Sequence, residues 1–214
     1  MRHAEVSYVG EPDPKVVRLT ERGLEQAAAA HRALEDVRFD VMVTSSLPRT
    51  IETAAVVAPG VEPVRWPEFD EWRGGRFDAI PSDELEQVFV GSLQIRDEEA
   101  RFLGGESLGE ALDRVLPALD RLLAAEWETA LAVFHGGVNR ILVSHALAGD
   151  RAYFGNFEQA PACINVLDHG SGSDGAGWIV RTVNYIPYDP LHPARTTTME
   201  HLWAELKAWF DERA

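Results

Sequence analysis

Arg2-His3-Ala4-Glu5, near the start of the chain, is the stretch around which the remaining sequence is organised. Taken alone, Arg-His is a common dipeptide, and at a chain terminus such a pair is usually solvated. Its significance comes from three later fragments whose polar residues we expect to meet His3 in the folded chain. These fragments are Ser45-Ser46-Leu47-Pro48-Arg49-Thr50, Glu68-Phe69-Asp70-Glu71 and Phe134-His135-Gly136-Gly137.

The composition predicts a folded domain rather than a disordered chain. The 214 residues are 45% hydrophobic and 26% charged, which is enough to build a packed core. The net charge of -15 argues against nucleic acid or an anionic membrane surface as a partner. No signal peptide or transmembrane run is visible. A site for an anionic substrate must therefore concentrate Arg and His locally, against the overall charge.

The chain has one cysteine, Cys163, so an internal disulfide is excluded. Cysteines without disulfides are typical of reducing compartments, and we expect a cytoplasmic protein. Cys163 lies in an apolar run that reads as a strand. This placement indicates a buried structural thiol rather than a nucleophile.

Predicted strands and helices alternate along the chain, and this alternation predicts one three-layer α/β/α sandwich with a mostly parallel central sheet. No internal repeat or linker divides residues 1–185, which we interpret as one domain. The predicted strands are 39–44, around 61–64, 130–134, around 162–168 and around 178–185. Predicted helices begin near Thr20, Ser45, Ser82, Ser107 and His135.

Three of these helices carry specific expectations. The first has Thr20 as its N-cap and is expected to bury Leu24, Ala27, Ala28 and Leu34. The second is expected to be capped by Ser45 and Ser46, with Pro48 in its first turn. The third has a Ser107–Glu110 capping box before a strongly amphipathic run. We interpret Gly105-Glu106-Ser107 as a turn and helix start rather than as part of catalysis.

The polar fragments have the chemistry of a phosphate site. Ligands of α/β sheets gather at the carboxyl ends of strands, where the fragments containing Arg49 and His135 fall. Both fragments open helices, whose free N–H groups favour an anion. The guanidinium forks of Arg2 and Arg49 match phosphate oxygens. No phosphate-binding Lys-Ser/Thr loop and no carboxylate cluster with metal-ligand spacing appears, so we expect neither a metal nor a cofactor.

The motifs together resemble the histidine phosphatase superfamily, which includes the cofactor-dependent phosphoglycerate mutases. Arg2-His3 resembles the family's Arg-His-Gly signature, and the segment 19–27 resembles its Leu-Thr-x-x-Gly-x-x-Gln-Ala element. Each motif alone is weak, but their joint order and spacing over residues 2–185 is specific. The other matching elements are Ser46-Leu47-Pro48-Arg49-Thr50 with Thr53-Ala54, Glu71 followed by Gly75, Gly105-Glu106-Ser107, and His135-Gly136-Gly137 with Arg140.

The resemblance implies a phosphoglycerate mutase-like fold and a phosphohistidine mechanism. His3 would be the nucleophile, with an unprotonated ring nitrogen and a backbone acceptor on the other nitrogen to fix the tautomer. Arg2, Arg49, His135 and the Gly136 N–H would bind the phosphoryl oxygens, where transition-state charge collects. Glu71 would protonate the leaving alcohol and later deprotonate water.

Alternative interpretations stay open for several residues. Arg49 could be a surface helix residue, and Glu68, Asp70 and Glu71 could form a solvated acidic loop. The remaining histidines show no motif, and we expect each to be surface-exposed or capped. They are His31, His145, His169, His192 and His201.

Departures from the family pattern favour a phosphatase over a mutase. Ala4 replaces the usual Gly, so the question arises whether the backbone at this position has a positive φ. Val6 and Val9 stand where mutases carry polar contacts, and the mutase insertion is absent between Asp70 and Gly105. The favoured function is hydrolysis of a small phosphorylated metabolite. The alternatives are phosphoglycerate mutase-type transfer and a non-catalytic phospho-ligand or protein-binding module.

Both ends of the chain carry further expectations. Family members have a buried strand before Arg-His, so we expect additional apolar residues before Met1. Residues 186–214 are expected to form a C-terminal extension, with a Thr197–Glu200 capping box and a helix whose apolar stripe is buried. That stripe would close the domain's own core or pack in a homodimer. Its members are Met199, Leu202, Trp203, Leu206, Trp209 and Phe210.

Overall fold

A parallel three-stranded sheet forms the centre of the protein. The computed structural model describes residues 1–10, 13–75, 80–81, 83–170, 177–193 and 196–211. Strands β1 (Val41–Thr44), β2 (Val64–Arg65) and β3 (Ala130–Val133) pair in the order β2-β1-β3. Both pairings are parallel, and the strands are connected through helices, because parallel strands need such crossovers.

Residues 1–3 extend this sheet beyond β3. The Phe134 N–H donates to the Met1 carbonyl (2.9 Å), and the His3 N–H donates to the Phe134 carbonyl (2.8 Å). On the other side, the Arg2 N–H donates to the Cys163 carbonyl (3.1 Å), and the Ala162 N–H donates to the His3 carbonyl (3.0 Å). His3 therefore lies between the carboxyl end of β3 and the segment that leads into β4.

An antiparallel hairpin completes the strands. It consists of β4 (Ile164–His169) and β5 (Trp178–Tyr185), which pair from Ile164–Tyr185 to His169–Trp178. The predicted α/β fold with a mostly parallel sheet is confirmed. The predicted strand around residues 61–64 begins only at Val64. Part of the loop predicted between β4 and β5, residues 171–176, lies outside the described residues.

Helices cover both faces of the sheet. Met42 and Val43, which are adjacent on β1, belong to two different core clusters because successive strand residues face opposite sides. Met42 packs with alanines and valines of α1 and α2, and Val43 packs with α4 and α5. The helices are α1 (Glu21–Leu34), α2 (Pro48–Val57), α3 (Leu85–Gly91), α4 (Leu108–Leu123), α5 (Gly136–Ala148) and α6 (Thr198–Asp211).

Helix α1 begins as predicted and buries Ala27 as expected, but it does not bury Leu24. The Thr20 side chain accepts a hydrogen bond from the Gly23 N–H, which confirms the N-cap. Leu24, predicted to be buried, is 48% exposed. Gln26 is buried because its amide oxygen accepts from the Glu5 N–H (2.9 Å). Gly23 is required at its position, since a Cβ there would lie 2.3 Å from the Glu5 carbonyl oxygen.

Helix α2 is not capped by serine. Its N-cap is Leu47, which makes no side-chain cap, and Pro48 occupies the first turn as predicted. The prediction failed because both hydroxyls have other partners. Ser45 Oγ bonds to Thr50 Oγ1 (2.9 Å), and Ser46 Oγ donates to the Asp70 carboxylate (2.8 Å).

Helix α4 confirms its predicted capping box and supplies much of the core. Ser107 and Glu110 exchange both bonds of the box. Leu108, Leu112 and Val115 are at most 1% exposed. The predicted start of α3 at Ser82 lies outside the described residues, and the described helix begins at Leu85.

Helix α6 has its predicted capping box, because Thr197 and Glu200 exchange hydrogen bonds. The prediction that its apolar stripe is buried is wrong. No residue of α6 is buried: five stripe residues are half-buried, and Phe210 is 42% exposed. The helix lies on one side against α3, where Trp203 contacts Phe89, and its exposed residues include Glu200, Ala204 and Lys207. Within the described residues, no helix is long and apolar enough to cross a membrane.

Candidate active site

His3 is held in one tautomer by its own main chain. Its Nδ1 lies 2.7 Å from the Ala4 carbonyl oxygen. A carbonyl only accepts, so Nδ1 carries the proton and Nε2 is left with a free lone pair. Ala4 is fully buried and its N–H donates to Thr53 Oγ1 (3.0 Å). Its φ is not positive, so this position does not need glycine.

His135 lies beside His3 at the end of β3. The two ring centroids are 5.2 Å apart, with an angle of 64° between the planes. Nε2 of His135 is 2.8 Å from Ser45 Oγ, and Ser45 is itself bonded to Thr50. Nδ1 of His135 is buried and has no hydrogen-bond partner among the described residues. Sequence reasoning treated Ser45 only as a helix cap and missed its contact with His135.

Two arginines reach the same place from different elements. Arg2 extends from the N-terminal strand segment, and its Nη1 donates to the Gln159 carbonyl oxygen (2.5 Å). Arg49 extends from the first turn of α2, and its Nη1 donates to the Pro14 carbonyl oxygen (2.9 Å). In each guanidinium the Nε is buried without a described partner. Arg49 is 3% exposed, which excludes the interpretation as a surface helix residue.

Burial and positive charge keep both histidines neutral. His3 is 2% exposed and His135 is 0% exposed. Burial lowers the pKa of His3 well below its usual 6.5, and the charges of Arg49 and Arg2 lower it further. The pKa of His135 is lowered well below the same value by burial, then by Arg49, His3 and Arg2. A neutral imidazole is what a nucleophilic Nε2 requires.

The helix that follows His135 brings backbone donors to this cluster. Gly136 is the first residue of α5, and a Cβ built on it would lie 3.6 Å from Nε of Arg2. Gly136, whose N–H is predicted to bind phosphate, therefore lies next to an arginine of the cluster. Free N–H groups at a helix N-terminus favour anions, so the start of α5 and the two arginines would all attract a negatively charged ligand.

Glu71 is anchored to the same helix N-terminus. It is half-buried, and its two carboxylate oxygens each lie 3.2 Å from the Gly137 N. Glu68 and Asp70 do not share its surroundings: Glu68 pairs with Arg121 (2.8 Å), and Asp70 accepts from Ser46. The three carboxylates thus have separate partners, and Glu71 is the one that contacts the start of α5.

A narrow cavity beside His3 has one wall formed by helix α6. Of the five histidines without a motif, His201 is the one that lines this cavity. Thr198 is fixed there because its hydroxyl donates to Glu158 Oε1 (2.8 Å). The sequence signal in α6 was its apolar stripe, which gave no indication that the helix borders the site. The cavity is lined by Arg2, His3, Ala4, Glu5, Val6, Tyr8, Pro161, Thr198, His201 and Leu202.

The chain belongs to the histidine phosphatase superfamily, branch 1, whose family model matches residues 1–184. It is 28% identical over 180 residues to an Arabidopsis thaliana protein named "Probable 2-carboxy-D-arabinitol-1-phosphatase", covering 81% of this chain but 37% of that relative. It is 31% identical over 150 residues to a 2,3-bisphosphoglycerate-dependent phosphoglycerate mutase of Methylobacterium sp., covering 64% of this chain and 70% of the mutase.

The fold is also that of solved structures. The alpha-ribazole phosphatase of Shigella flexneri superposes with a TM-score of 0.68 at 24% identity, covering 86% of this chain and 94% of that one. At this identity the similarity shows the fold alone. The resemblance seen in the sequence motifs is confirmed at the level of family and fold. Residues 185–214, which include α6, lie beyond the family match.

Proposed function

We propose that the protein is a metal-independent phosphomonoesterase that works through a phosphohistidine on His3. The observation that carries the proposal is the convergence of His3, His135, Arg2 and Arg49 in a buried cluster of an acidic chain. Three buried nitrogens of this cluster lack a described partner: Nε of Arg2, Nε of Arg49 and Nδ1 of His135. Buried polar atoms normally have hydrogen-bond partners, and a phosphoryl group would satisfy all three.

In the first half-reaction, Nε2 of His3 attacks phosphorus and the bond to the alcohol oxygen breaks. Glu71 supplies the proton that the departing oxygen takes up. Arg2, Arg49, His135 and the Gly136 N–H bind the equatorial oxygens, whose charge they stabilise in the transition state. The product alcohol leaves, and His3 carries the phosphoryl group.

In the second half-reaction, water attacks phosphorus and the phosphorus–nitrogen bond breaks. Glu71 accepts a proton from this water, so its carboxyl returns to the protonated form it had at the start. Inorganic phosphate leaves, and the electron pair returns to Nε2 of His3. The mechanism needs no metal because the two arginines and the neutral His135 supply the donors.

Mutase-type transfer is the second candidate, supported by the mutase among the relatives. In that reaction the phosphoryl group of His3 passes to an alcohol rather than to water. Val6 lies in the wall of the cavity beside His3 and is 5% exposed, where mutases carry a polar contact. This replacement favours hydrolysis. A binding module without activity would not need a carboxylate fixed at Gly137.

The test combines a substrate panel with trapping of the intermediate. The purified protein is incubated with phosphorylated metabolites, and both phosphate release and phosphoryl transfer to a second alcohol are measured. We expect phosphate release and a transient phosphoryl group on His3, detected by rapid quenching and peptide mass analysis. Transfer without release, given a bisphosphoglycerate primer, would establish the mutase. Absence of both reactions across the panel would leave the binding module as the function.

A further inference from the structure

An ion pair with little exposure to solvent, Glu106–Arg114, contacts the loop that carries Glu71. Nε of Arg114 donates to Glu106 Oε1 (2.7 Å), and Nη2 donates to Oε2 (2.8 Å). The Arg114 side chain is 14% exposed and the Glu106 side chain is 6% exposed. Desolvating two charges is costly, and a well-packed apolar pair of similar size is often no less stable. The pair therefore calls for an explanation other than stability.

Arg114 directs its remaining donors to the main chain of the loop. Nη1 donates to the Glu68 carbonyl oxygen (2.7 Å), and Nη2 lies 3.4 Å from the Glu71 carbonyl oxygen. Glu106 holds the next residues of the same loop: its Oε2 accepts from the Arg73 N–H (3.2 Å), and its own N–H donates to the Arg73 carbonyl (2.8 Å). The ion pair thus fixes the backbone on both sides of Glu71.

The Glu71 side chain, the proposed general acid, is held by a second contact outside the loop. The Glu71 carboxylate meets the Gly137 N–H at the start of α5, two residues after His135. Its position is set by the Gly137 contact on one side and by the backbone of residues 68–73 on the other. A general acid must lie within hydrogen-bond reach of the oxygen it protonates, so small displacements of this backbone slow the reaction.

We propose that Glu106 and Arg114 are positioning residues for Glu71, acting through the loop backbone rather than on substrate. The inference rests on the proposed function, because it assumes that Glu71 is the general acid. It gives Gly105-Glu106-Ser107 a role beyond that of a helix start. Glu106 lies immediately before the capping residue Ser107, so the same short segment both begins α4 and holds the acid loop.

The experiment compares two classes of leaving group. An alkyl phosphate needs a proton on its leaving oxygen, whereas p-nitrophenyl phosphate releases a stable phenolate without one. The alkyl phosphate used in this comparison is selected from a panel as the one that the wild-type enzyme hydrolyses fastest. We expect Glu106→Gln to lower kcat/KM for the alkyl phosphate on the order of tenfold or more while changing kcat/KM for p-nitrophenyl phosphate much less. Arg114→Lys keeps the positive charge but loses the bidentate guanidinium donors, so it should have the same effect on the two kcat/KM values.

Helix α4 provides a matched control. Arg121 lies two turns after Arg114 and also reaches the loop, but through an exposed ion pair with the Glu68 side chain. Arg121→Gln should leave the ratio of the two kcat/KM values unchanged. In the double variant Glu71→Gln with Glu106→Gln, the ratio should equal that of Glu71→Gln alone, because both changes act on one proton transfer.

A structural role makes a different prediction. If Glu106→Gln lowers both kcat/KM values by the same factor, together with the melting temperature, the pair only stabilises the fold and the inference is wrong. If Glu71→Gln changes the ratio but neither Glu106→Gln nor Arg114→Lys does, the proposed mechanism stands and the inference alone fails. If Glu71→Gln leaves the ratio unchanged, Glu71 is not the acid, and both are overturned. Should Glu106→Gln not fold, Arg114→Lys decides between the same outcomes.

Discussion

The rings of His3 and His135 lie next to each other, with centroids 5.2 Å apart, although they come from distant parts of the chain. Their backbones make this possible, because the His3 N–H donates to the carbonyl of Phe134, the residue before His135. The nucleophile candidate is thus placed by sheet pairing and not by a mobile loop. Rigid elements hold reacting groups more precisely than loops do.

Substituting His3 should abolish turnover. We expect His3→Ala to lose phosphatase activity, since no other described side chain in the cluster offers a neutral Nε2 with its tautomer fixed. A phosphate analogue such as vanadate should bind wild-type protein among His3, His135, Arg2 and Arg49, as a crystal structure of the complex would reveal. Residual activity of His3→Ala close to wild type would contradict the mechanism.

The two buried histidines should make the protein less stable in acid. Because each folded-state pKa lies below the unfolded value near 6.5, the unfolded state binds more protons in between. Their stabilising contribution is complete above pH 6.5 and is lost as the pH falls toward the folded pKa. The loss approaches about 1.4 kcal/mol per pH unit for each histidine.

Urea unfolding between pH 7 and pH 5 measures this effect. Carboxylates contribute to acid sensitivity too, so the comparison is with a His3→Asn, His135→Gln variant, in which both titrating rings are absent. The free energy of unfolding of this variant should fall less steeply with pH than that of wild type. Equal slopes in the two proteins would show that the buried histidines do not resist protonation.

A methyl group at residue 137 should disturb Glu71. A Cβ on Gly137 would lie 2.8 Å from Oε1 of Glu71 and 3.1 Å from the Trp72 ring. We expect Gly137→Ala to displace the carboxylate and to lower kcat/KM for alkyl phosphates more than for p-nitrophenyl phosphate. Gly91→Ala is the matched control, since Gly91 also lies in a helix but a methyl group added there would meet nothing within 4 Å. Equal behaviour of the two variants would argue against a role for the Glu71 contact.

Turnover should survive chelation. The motifs contain no metal-ligand spacing, and the side chains around His3 are arginines and a neutral histidine rather than a carboxylate cluster. Activity measured before and after extended dialysis against EDTA is expected to be the same. Loss of activity that Mg²⁺ or Zn²⁺ restores would count against a reaction driven by arginines and histidines alone.

Much of the site could be predicted because its residues sit in local motifs with a structural meaning. Arg2 and His3, Arg49, and His135 with Gly136 all fall at the ends of strands or the starts of helices, which short patterns reveal. Their convergence follows from the parallel sheet, whose carboxyl strand ends meet at one edge. The Thr20 cap and the Ser107–Glu110 box are equally local and were equally predictable.

The failures arise where distant residues compete for the same group. Ser45 and Ser46 have the side chains of helix caps. Their hydroxyls instead form hydrogen bonds with His135 and Asp70, which are distant in sequence. Leu24 has the side chain of a core residue but is exposed. Helix α1 instead turns Gln26 toward the N-terminal segment, where its amide oxygen accepts from the Glu5 N–H. Glu106 and Arg114 are close in sequence. Arg114 also contacts the carbonyl oxygens of Glu68 and Glu71, which are distant in sequence, so a local pattern could not predict this role of the pair.

Helix α6 gives the last prediction, because it both packs on the domain and borders the site. Trp203 contacts Phe89 of α3 with ring centroids 5.8 Å apart, and Met199 packs against the main core cluster. We expect removal of residues 197–214 to lower the melting temperature by several degrees, since each 1 kcal/mol is worth about 2–4 °C in a domain of this size. The shortened chain keeps His3, His135 and both arginines, so it should still hydrolyse p-nitrophenyl phosphate.

Two single variants separate packing within the chain from association of two copies. Trp203→Ala removes the contact with Phe89 and should lower the melting temperature at every protein concentration. Phe210 is 42% exposed and contacts the neighbouring Trp209. Phe210→Ser should change the oligomeric state if the side of α6 that carries Phe210 lies in the proposed homodimer. Light scattering on wild type and on Phe210→Ser decides this point. An unchanged oligomeric state would rule out the interface, and an unchanged melting temperature of Trp203→Ala would show that α6 is not held against α3.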